Sequence, residues 1–190
     1  MEKKLVFISG GARSGKTSFA EANAEKIAHS NNRPLYYLAT SQKEDGEMVR
    51  RIERHQQDRK ESDAKWRTIE RPLNIGGIAN DFGGHEVLLV DCVTLLLTNE
   101  LFQGDFDEEL FTDLTYQMKV KQRIIEGILK LSKQVHSLFI VSNEVLYDPI
   151  DTENKVVWVY QKLLGEIHQE IVAQADEAYL IEAGIPIKKK

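Results

Sequence analysis

A phosphate-loop pattern lies near the start of the chain, between an apolar run at residues 5–9 and a segment with helical spacing. The loop reads GGARSGKT and matches G-x-x-x-x-G-K-[ST] at every defined position. Glycines let backbone N–H groups converge on phosphate oxygens, the lysine reaches the outer phosphates, and the threonine hydroxyl ligates Mg²⁺. A tight turn with no ligand is the alternative. The expected nucleotide-binding residues are Gly10, Gly11, Ala12, Arg13, Ser14, Gly15, Lys16 and Thr17.

Short apolar runs alternate with helical segments along the chain. The expected strands are KLVFISG, LYYLAT, WRTIE, EVLLVDC, SLFIVSN and EAYLIEA, and the expected helices span residues 18–29, 44–60, 94–102, 108–134 and 153–175. Several strand runs are continuously apolar, which is typical of parallel strands covered on both faces. The alternation predicts an α/β fold with right-handed crossovers. Residues 74–86 carry two glycine pairs and are expected to form a loop or a frayed helix end.

Composition indicates one globular domain over residues 1–190, because 42% of the residues are hydrophobic and this length suits a single core. The formal net charge is -5, and basic residues are scattered apart from the last three lysines, so no nucleic-acid footprint is present. A lone cysteine, Cys92, excludes an internal disulfide and fits a reducing compartment. The first apolar run is too short for a signal peptide or membrane span, so a cytoplasmic location is expected.

An acidic residue follows the fourth expected strand, where Asp91 comes directly after four apolar residues. Phosphate-loop enzymes hold their metal with a carboxylate at such a strand end. The position therefore predicts that Asp91 and Thr17 serve Mg²⁺. In the alternative, Asp91 only caps the helix that follows.

The expected helix at residues 44–60 combines basic side chains and a histidine on one face. Arg51, His55 and Arg59 are spaced four residues apart and so share that face. Buried guanidinium groups without partners are costly, so this face suits an anion better than a core. A neutral imidazole is a competent nucleophile near neutral pH, and arginines beside it stabilise charge on an attacked phosphate. The alternative is a histidine that only packs or binds phosphate.

Four further segments follow the loop in order, reading YLATSQKEDGEMVRRIERHQQDR, WRTIE, LLVDCVTLLLTNEL and VSNEV. Together they resemble the adenosylcobinamide kinase/adenosylcobinamide-phosphate guanylyltransferase family of cobalamin assembly over nearly the whole chain. The resemblance implies a RecA-like P-loop fold and a homotrimer. It also implies two reactions: phosphorylation of adenosylcobinamide by ATP or GTP, and transfer of GMP from GTP onto that phosphate with release of pyrophosphate.

The resemblance also implies residue roles. His55, the histidine of R-I-x-x-H, is similar to the family's guanylylated nucleophile, with Lys16 acting at the triphosphate and Asp91 at Mg²⁺. Further nucleotide contacts are expected from Thr40, Ser41, Gln42, Arg51, Arg59 and Glu70.

The C-terminal third departs from the family pattern. Where relatives carry G-x-G-I-V-P, R-x-F-R-D and G-x-x-N-Q, this chain reads VLYDPIDTENKVVWVYQKLLGEIHQ. We therefore hypothesise that nucleotide chemistry is retained while acceptor binding has changed. The alternatives are a P-loop small-molecule kinase or NTPase without a covalent intermediate, and a nucleotide-binding regulatory protein without turnover.

Overall fold

A computed structural model describes residues 3–41, 64–104, 108–145 and 154–190. Its strands form one seven-stranded sheet in the order β3-β2-β4-β5-β1-β6-β7. All neighbours pair in parallel except β6 and β7, which are antiparallel. The strands are β1 (Lys4–Gly10), β2 (Leu35–Ala39), β3 (Trp66–Glu70), β4 (Val87–Asp91), β5 (Ser137–Asn143), β6 (Glu177–Glu182) and β7 (Ile185–Lys188).

Helices cover both faces of the sheet. They are α1 (Lys16–Ser30), α2 (Val93–Leu101), α3 (Glu108–Thr112), α4 (Leu114–Gln134) and α5 (Lys155–Gln174), with a 3-10 helix at Ile75–Asp81. The stripe Ala20, Ala24 and Ala28 of α1 is buried on one face, and its small side chains let the helix pack closely. Buried residues of α2, α4 and α5 pack on the other face. No helix in the described ranges combines the length and apolar character that crossing a bilayer requires.

The predicted α/β class is confirmed, and all six expected strands are present with ends within one residue of the prediction. The central strands β4 and β5 are buried along almost their whole length, which explains their continuously apolar sequences. The expected helix at residues 44–60 lies outside the described residues.

Two details of the fold differ from the sequence-based expectation. The single helix expected at residues 108–134 is two helices, because the Asp113 carboxylate accepts from the N–H of Tyr116 and caps a new helix, α4. The strand β7 was not expected at all. It follows a tight turn in which Ala183 and Gly184 both have positive φ, 48° and 81°, a conformation typical of two-residue hairpins.

His168 of α5 is buried against the sheet, and this burial makes folding sensitive to acid. Its Nε2 lies 2.7 Å from the hydroxyl of Ser142, and its ring centroid lies 5.1 Å from that of Phe7. Burial lowers the pKa of His168 from 6.5 to about 4. The unfolded chain therefore binds a proton at a higher pH than the folded chain does.

We expect the contribution of neutral His168 to stability to be complete above the unfolded pKa near 6.5 and to be lost as the pH falls toward about 4. The total loss over this window is on the order of 3 kcal/mol. Urea unfolding at several pH values should show a smaller acid-dependent loss for His168→Gln than for the wild type. The exposed His29→Gln serves as the control and should keep the wild-type slope. Equal slopes for all three proteins would contradict the assignment.

Candidate nucleotide site

The carboxyl ends of four neighbouring strands meet at one edge of the sheet. In register, Gly10 of β1 is opposite Asn143 of β5, and Asp91 of β4 is opposite both Ala39 of β2 and Val141 of β5. Ligands of open α/β sheets bind outside the carboxyl ends of the strands. The predicted phosphate loop and Asp91 are therefore brought to the same edge.

The loop turns sharply from β1 into α1. Arg13 and Gly15 have positive φ, 59° and 91°, and Gly15 is the N-cap residue of α1. No side chain caps this helix, and its first turn contains no acidic residue. The first N–H groups of a helix lack partners within the helix and carry its positive dipole end, so the start of α1 is suited to an anion.

The carbonyl groups of the loop are held by donors from the protein itself. Gly10 O accepts from Glu144 N at 2.9 Å, and Ser14 O accepts from Gly184 N at 2.9 Å. Gly11 O accepts from Ser14 N at 3.2 Å and from Lys16 Nζ at 2.9 Å. A carbonyl turned toward a phosphate would repel it, so these bonds favour a loop that presents N–H groups to a ligand.

The predicted loop residues differ in exposure. Ala12, Arg13 and Gly15 are exposed, whereas Ser14, Lys16 and Thr17 are buried. The ammonium group of Lys16 thus lies inside the loop rather than in solvent. There a phosphate group would be a stronger partner than a neutral carbonyl.

Asp91 and Thr17 are in contact. The Thr17 hydroxyl donates to Asp91 Oδ2 at 3.0 Å, and the Tyr37 hydroxyl donates to the same oxygen at 2.8 Å. Because Thr17 donates its proton to Asp91, the lone pairs of Thr17 Oγ1 point elsewhere. The N-cap residue of α2 is Cys92, so the structure does not use Asp91 as a helix cap.

These oxygen atoms suit Mg²⁺. Mg²⁺ prefers hard oxygen ligands and usually binds through one or two carboxylates together with substrate phosphates and water. Among the described residues, no group of three or more His, Cys, Asp or Glu side chains is placed to hold a metal alone. Thr17 and Asp91 are therefore the described residues that could hold a nucleotide-bound Mg²⁺.

Thr40 joins the ends of β2 and β4. Its hydroxyl donates to Cys92 O at 2.8 Å and accepts from Cys92 N at 2.7 Å, and its own N–H donates to Asp91 O at 3.0 Å. The residue is fully buried. A nucleotide contact by the Thr40 side chain, which the family resemblance implied, would require these bonds to open.

The other predicted contact residues have mixed outcomes. Ser41 is half-buried directly after Thr40, and Glu70 is exposed at the end of β3, in register with Ala39. The remaining four, Gln42, Arg51, His55 and Arg59, lie outside the described residues.

Helix α2 supports this edge of the sheet. The Asn99 amide donates to Thr40 O at 2.7 Å and to Pro72 O at 3.1 Å. The Glu100 carboxylate is buried, accepts from Asn74 N at 2.6 Å and pairs with Arg123 at 2.7 Å. The loop after β3 and the end of β2 are thus tied to one helix.

Two residue groups at the site were not identified from the sequence. Tyr37 was not singled out, although it bonds to Asp91. Asn143 donates to Thr94 Oγ1 at 3.0 Å, and that oxygen lies 2.8 Å from Cys92 Sγ. The position of Asn143 directly after a buried strand was the available signal. Burial raises the pKa of Cys92 to about 11, so its thiol is protonated at neutral pH and is no nucleophile.

Comparisons with known proteins cover almost the whole chain. A family model described as "Cobinamide kinase / cobinamide phosphate guanyltransferase" matches residues 6–189. "Bifunctional adenosylcobalamin biosynthesis protein CobU" of Escherichia coli (strain K12) is 34% identical over 189 residues, covering 98% of this chain and 99% of that protein. The protein of the same name from Salmonella typhimurium (strain LT2) is 31% identical over 189 residues, with the same coverage of 98% and 99%.

A solved structure shares the fold. This structure, the ATPase domain of another protein, superimposes with a TM-score of 0.51 at 12% sequence identity, covering 94% of this chain and 69% of that chain. At this identity the likeness concerns the fold alone. It supports the P-loop architecture expected from the loop and the strand order.

Proposed function

The chain belongs to the cobinamide kinase / cobinamide phosphate guanyltransferase family, and we propose that a single nucleotide site serves both of its reactions. The protein is a transferase of cobalamin biosynthesis. Its kinase reaction moves the γ-phosphoryl group of ATP or GTP to a hydroxyl of adenosylcobinamide. Its guanylyltransferase reaction moves GMP from GTP onto the resulting phosphate and releases pyrophosphate.

The observation that carries the single-site proposal is the phosphate loop at the sheet edge. Lys16 lies buried within it, the start of α1 has no side-chain cap, and Thr17 contacts Asp91. Lys16 would neutralise charge on the outer phosphates. Thr17 and Asp91 would hold Mg²⁺, which supplies further positive charge at the phosphates when bound.

For guanylyl transfer we propose His55 as the nucleophile. Its neutral imidazole nitrogen would attack the α-phosphorus of GTP, so that an N–P bond forms while the P–O bond to pyrophosphate breaks. A phosphate oxygen of the acceptor would then attack the same phosphorus and return the electron pair to the imidazole. Arg51 and Arg59, spaced to share a helix face with His55, would stabilise the charge on the attacked phosphate.

A labelling experiment tests this proposal. With Mg²⁺ and GTP labelled at the α-phosphate, we expect protein-bound label that survives denaturation and is released by acid. The His55→Ala variant should carry no label, whereas His85→Ala, which changes an exposed histidine, should be labelled like the wild type. GTP labelled at the γ-phosphate should give no covalent label.

Other outcomes point to other functions. Bound GTP without covalent α-label would support a P-loop kinase or NTPase in which His55 only binds phosphate. Bound GTP with release of neither phosphate nor pyrophosphate would support a regulatory protein. Label retained in His55→Ala would contradict the assigned nucleophile while leaving guanylyl transfer intact.

The divergent C-terminal third supports a narrower proposal about the acceptor. In the described part it forms most of α5, and the glycine, arginine and asparagine positions of the family pattern are replaced there. We propose that nucleotide chemistry is retained and acceptor binding is altered. Separate assays of the kinase and transferase steps with adenosylcobinamide test this, and normal turnover in both would contradict it.

The assembly and location are also proposals. The family resemblance implies a homotrimer, which light scattering of the purified protein would detect. A cytoplasmic location and a single domain over residues 1–190 fit the lone cysteine and the composition. Fractionation of cells and limited proteolysis are the matching measurements.

A further inference from the structure

The Asp91 carboxylate receives a second donor that the phosphate-loop pattern does not account for. Both Thr17 Oγ1, at 3.0 Å, and Tyr37 OH, at 2.8 Å, donate to the same oxygen, Oδ2. Thr17 belongs to the loop and moves with it. Tyr37 belongs to β2, a strand paired with β4, so it connects the carboxylate to the rigid sheet.

The ring of Tyr37 is fixed by its surroundings. It is 6% exposed and packs edge-on against Trp66, with ring centroids 6.1 Å apart and an interplanar angle of 81°. Trp66 in turn donates from Nε1 to Glu25 of α1 at 2.7 Å. A phenol held in this way can offer its hydroxyl in one direction only, toward the end of β4.

Two hydroxyl donors on one oxygen restrict rotation of the carboxylate. Residues that orient a metal-binding carboxylate through hydrogen bonds contribute to metal affinity without touching the metal. We propose that Tyr37 is a positioning residue that orients Asp91 for the Mg²⁺-bound nucleotide. This inference rests on the proposed function, because it takes Asp91 to act on nucleotide-bound Mg²⁺.

The neighbouring residue provides a matched control. Tyr36 lies next to Tyr37 in β2, but its side chain faces the opposite side of the sheet. Its hydroxyl accepts from Arg67 at 2.9 Å, and its ring packs edge-on against Phe82 at 5.4 Å. Tyr36→Phe and Tyr37→Phe therefore remove the same atom from the same strand, and only the second change affects Asp91.

The experiment measures the affinity for GTP in excess Mg²⁺ and again in EDTA by isothermal titration calorimetry. We expect Tyr37→Phe to weaken GTP binding by about 10-fold in Mg²⁺ and to leave binding in EDTA unchanged. Tyr36→Phe should alter neither value. Electron paramagnetic resonance with Mn²⁺ and GTP should show a matching loss of metal affinity for Tyr37→Phe alone.

Two results would overturn the inference. Equal weakening with and without Mg²⁺ would mean that the Tyr37 hydroxyl acts only on the fold, and no change in either medium would mean that it does not orient Asp91. The Asp91→Asn variant separates this failure from failure of the proposed function. If Asp91→Asn keeps the gain in affinity caused by Mg²⁺, the metal role of Asp91 fails. If it loses that gain while Tyr37→Phe keeps it, only the role of Tyr37 fails.

Discussion

Replacing Lys16 by alanine is expected to lower kcat/KM for nucleotide turnover by about 10³-fold. The ammonium group lies buried inside the phosphate loop, 2.9 Å from Gly11 O, where charge interactions are much stronger than in water. Its loss removes the cation that the loop places at the outer phosphates. Steady-state assays of the kinase and guanylyltransferase steps, together with GTP binding, measure the effect.

Lys26→Ala is the control for this variant. Lys26 lies on the same helix but is exposed, so its replacement should leave turnover within about twofold of the wild type. Because both reactions are proposed to use one loop, Lys16→Ala should impair both. Loss of the kinase step with normal guanylyl transfer would contradict a shared site, and wild-type turnover in both would contradict the phosphate role of Lys16.

Replacing Gly10 by alanine is expected to destabilise the fold by about 3 kcal/mol and to weaken GTP binding. A Cβ at this position would lie 2.5 Å from Ser14 Oγ and 2.6 Å from Ile181 O. The serine side chain can rotate, but the Ile181 carbonyl belongs to the β6 backbone, which pairs with β1. The strand or the loop must therefore shift, as urea unfolding and calorimetry with GTP would detect.

The adjacent glycine is the matched control. A Cβ on Gly11 would meet no atom within 4 Å, so Gly11→Ala should change the free energy of unfolding by less than about 0.5 kcal/mol. The pair makes the same chemical change at consecutive positions and differs only in available space. Equal stability of the two variants would show that close packing at Gly10 does not constrain the loop.

The strands were predictable because their burial leaves a direct trace in the sequence. SLFIVSN and VLLVD are continuously apolar since both faces of β5 and β4 are covered. β7 left no such trace, because IPIK is largely exposed and its pairing depends on the turn at Ala183 and Gly184. The break at Asp113 also escaped prediction, since the apolar periodicity continues across it although the aspartate is a good cap.

The site was predictable where its residues are neighbours in sequence. The loop from Gly10 to Thr17 carries its own pattern, and Asp91 is marked by the strand before it. Tyr37 and Gly184 act on this loop or on Asp91 from distant segments, and nothing local indicates those contacts. His55 lies outside the described residues, so its role remains a prediction.

The position of β1 determines when the phosphate loop can assemble during synthesis. The ribosome makes this strand early, yet its two partners are β5 and β6, which pair Lys4 with Ser137 and Val6 with Glu177. The donors that hold Gly10 O and Ser14 O, Glu144 and Gly184, emerge late as well. A nascent chain therefore cannot use nucleotide to stabilise its early folding, and it exposes an apolar, unpaired strand until most of the domain has been translated.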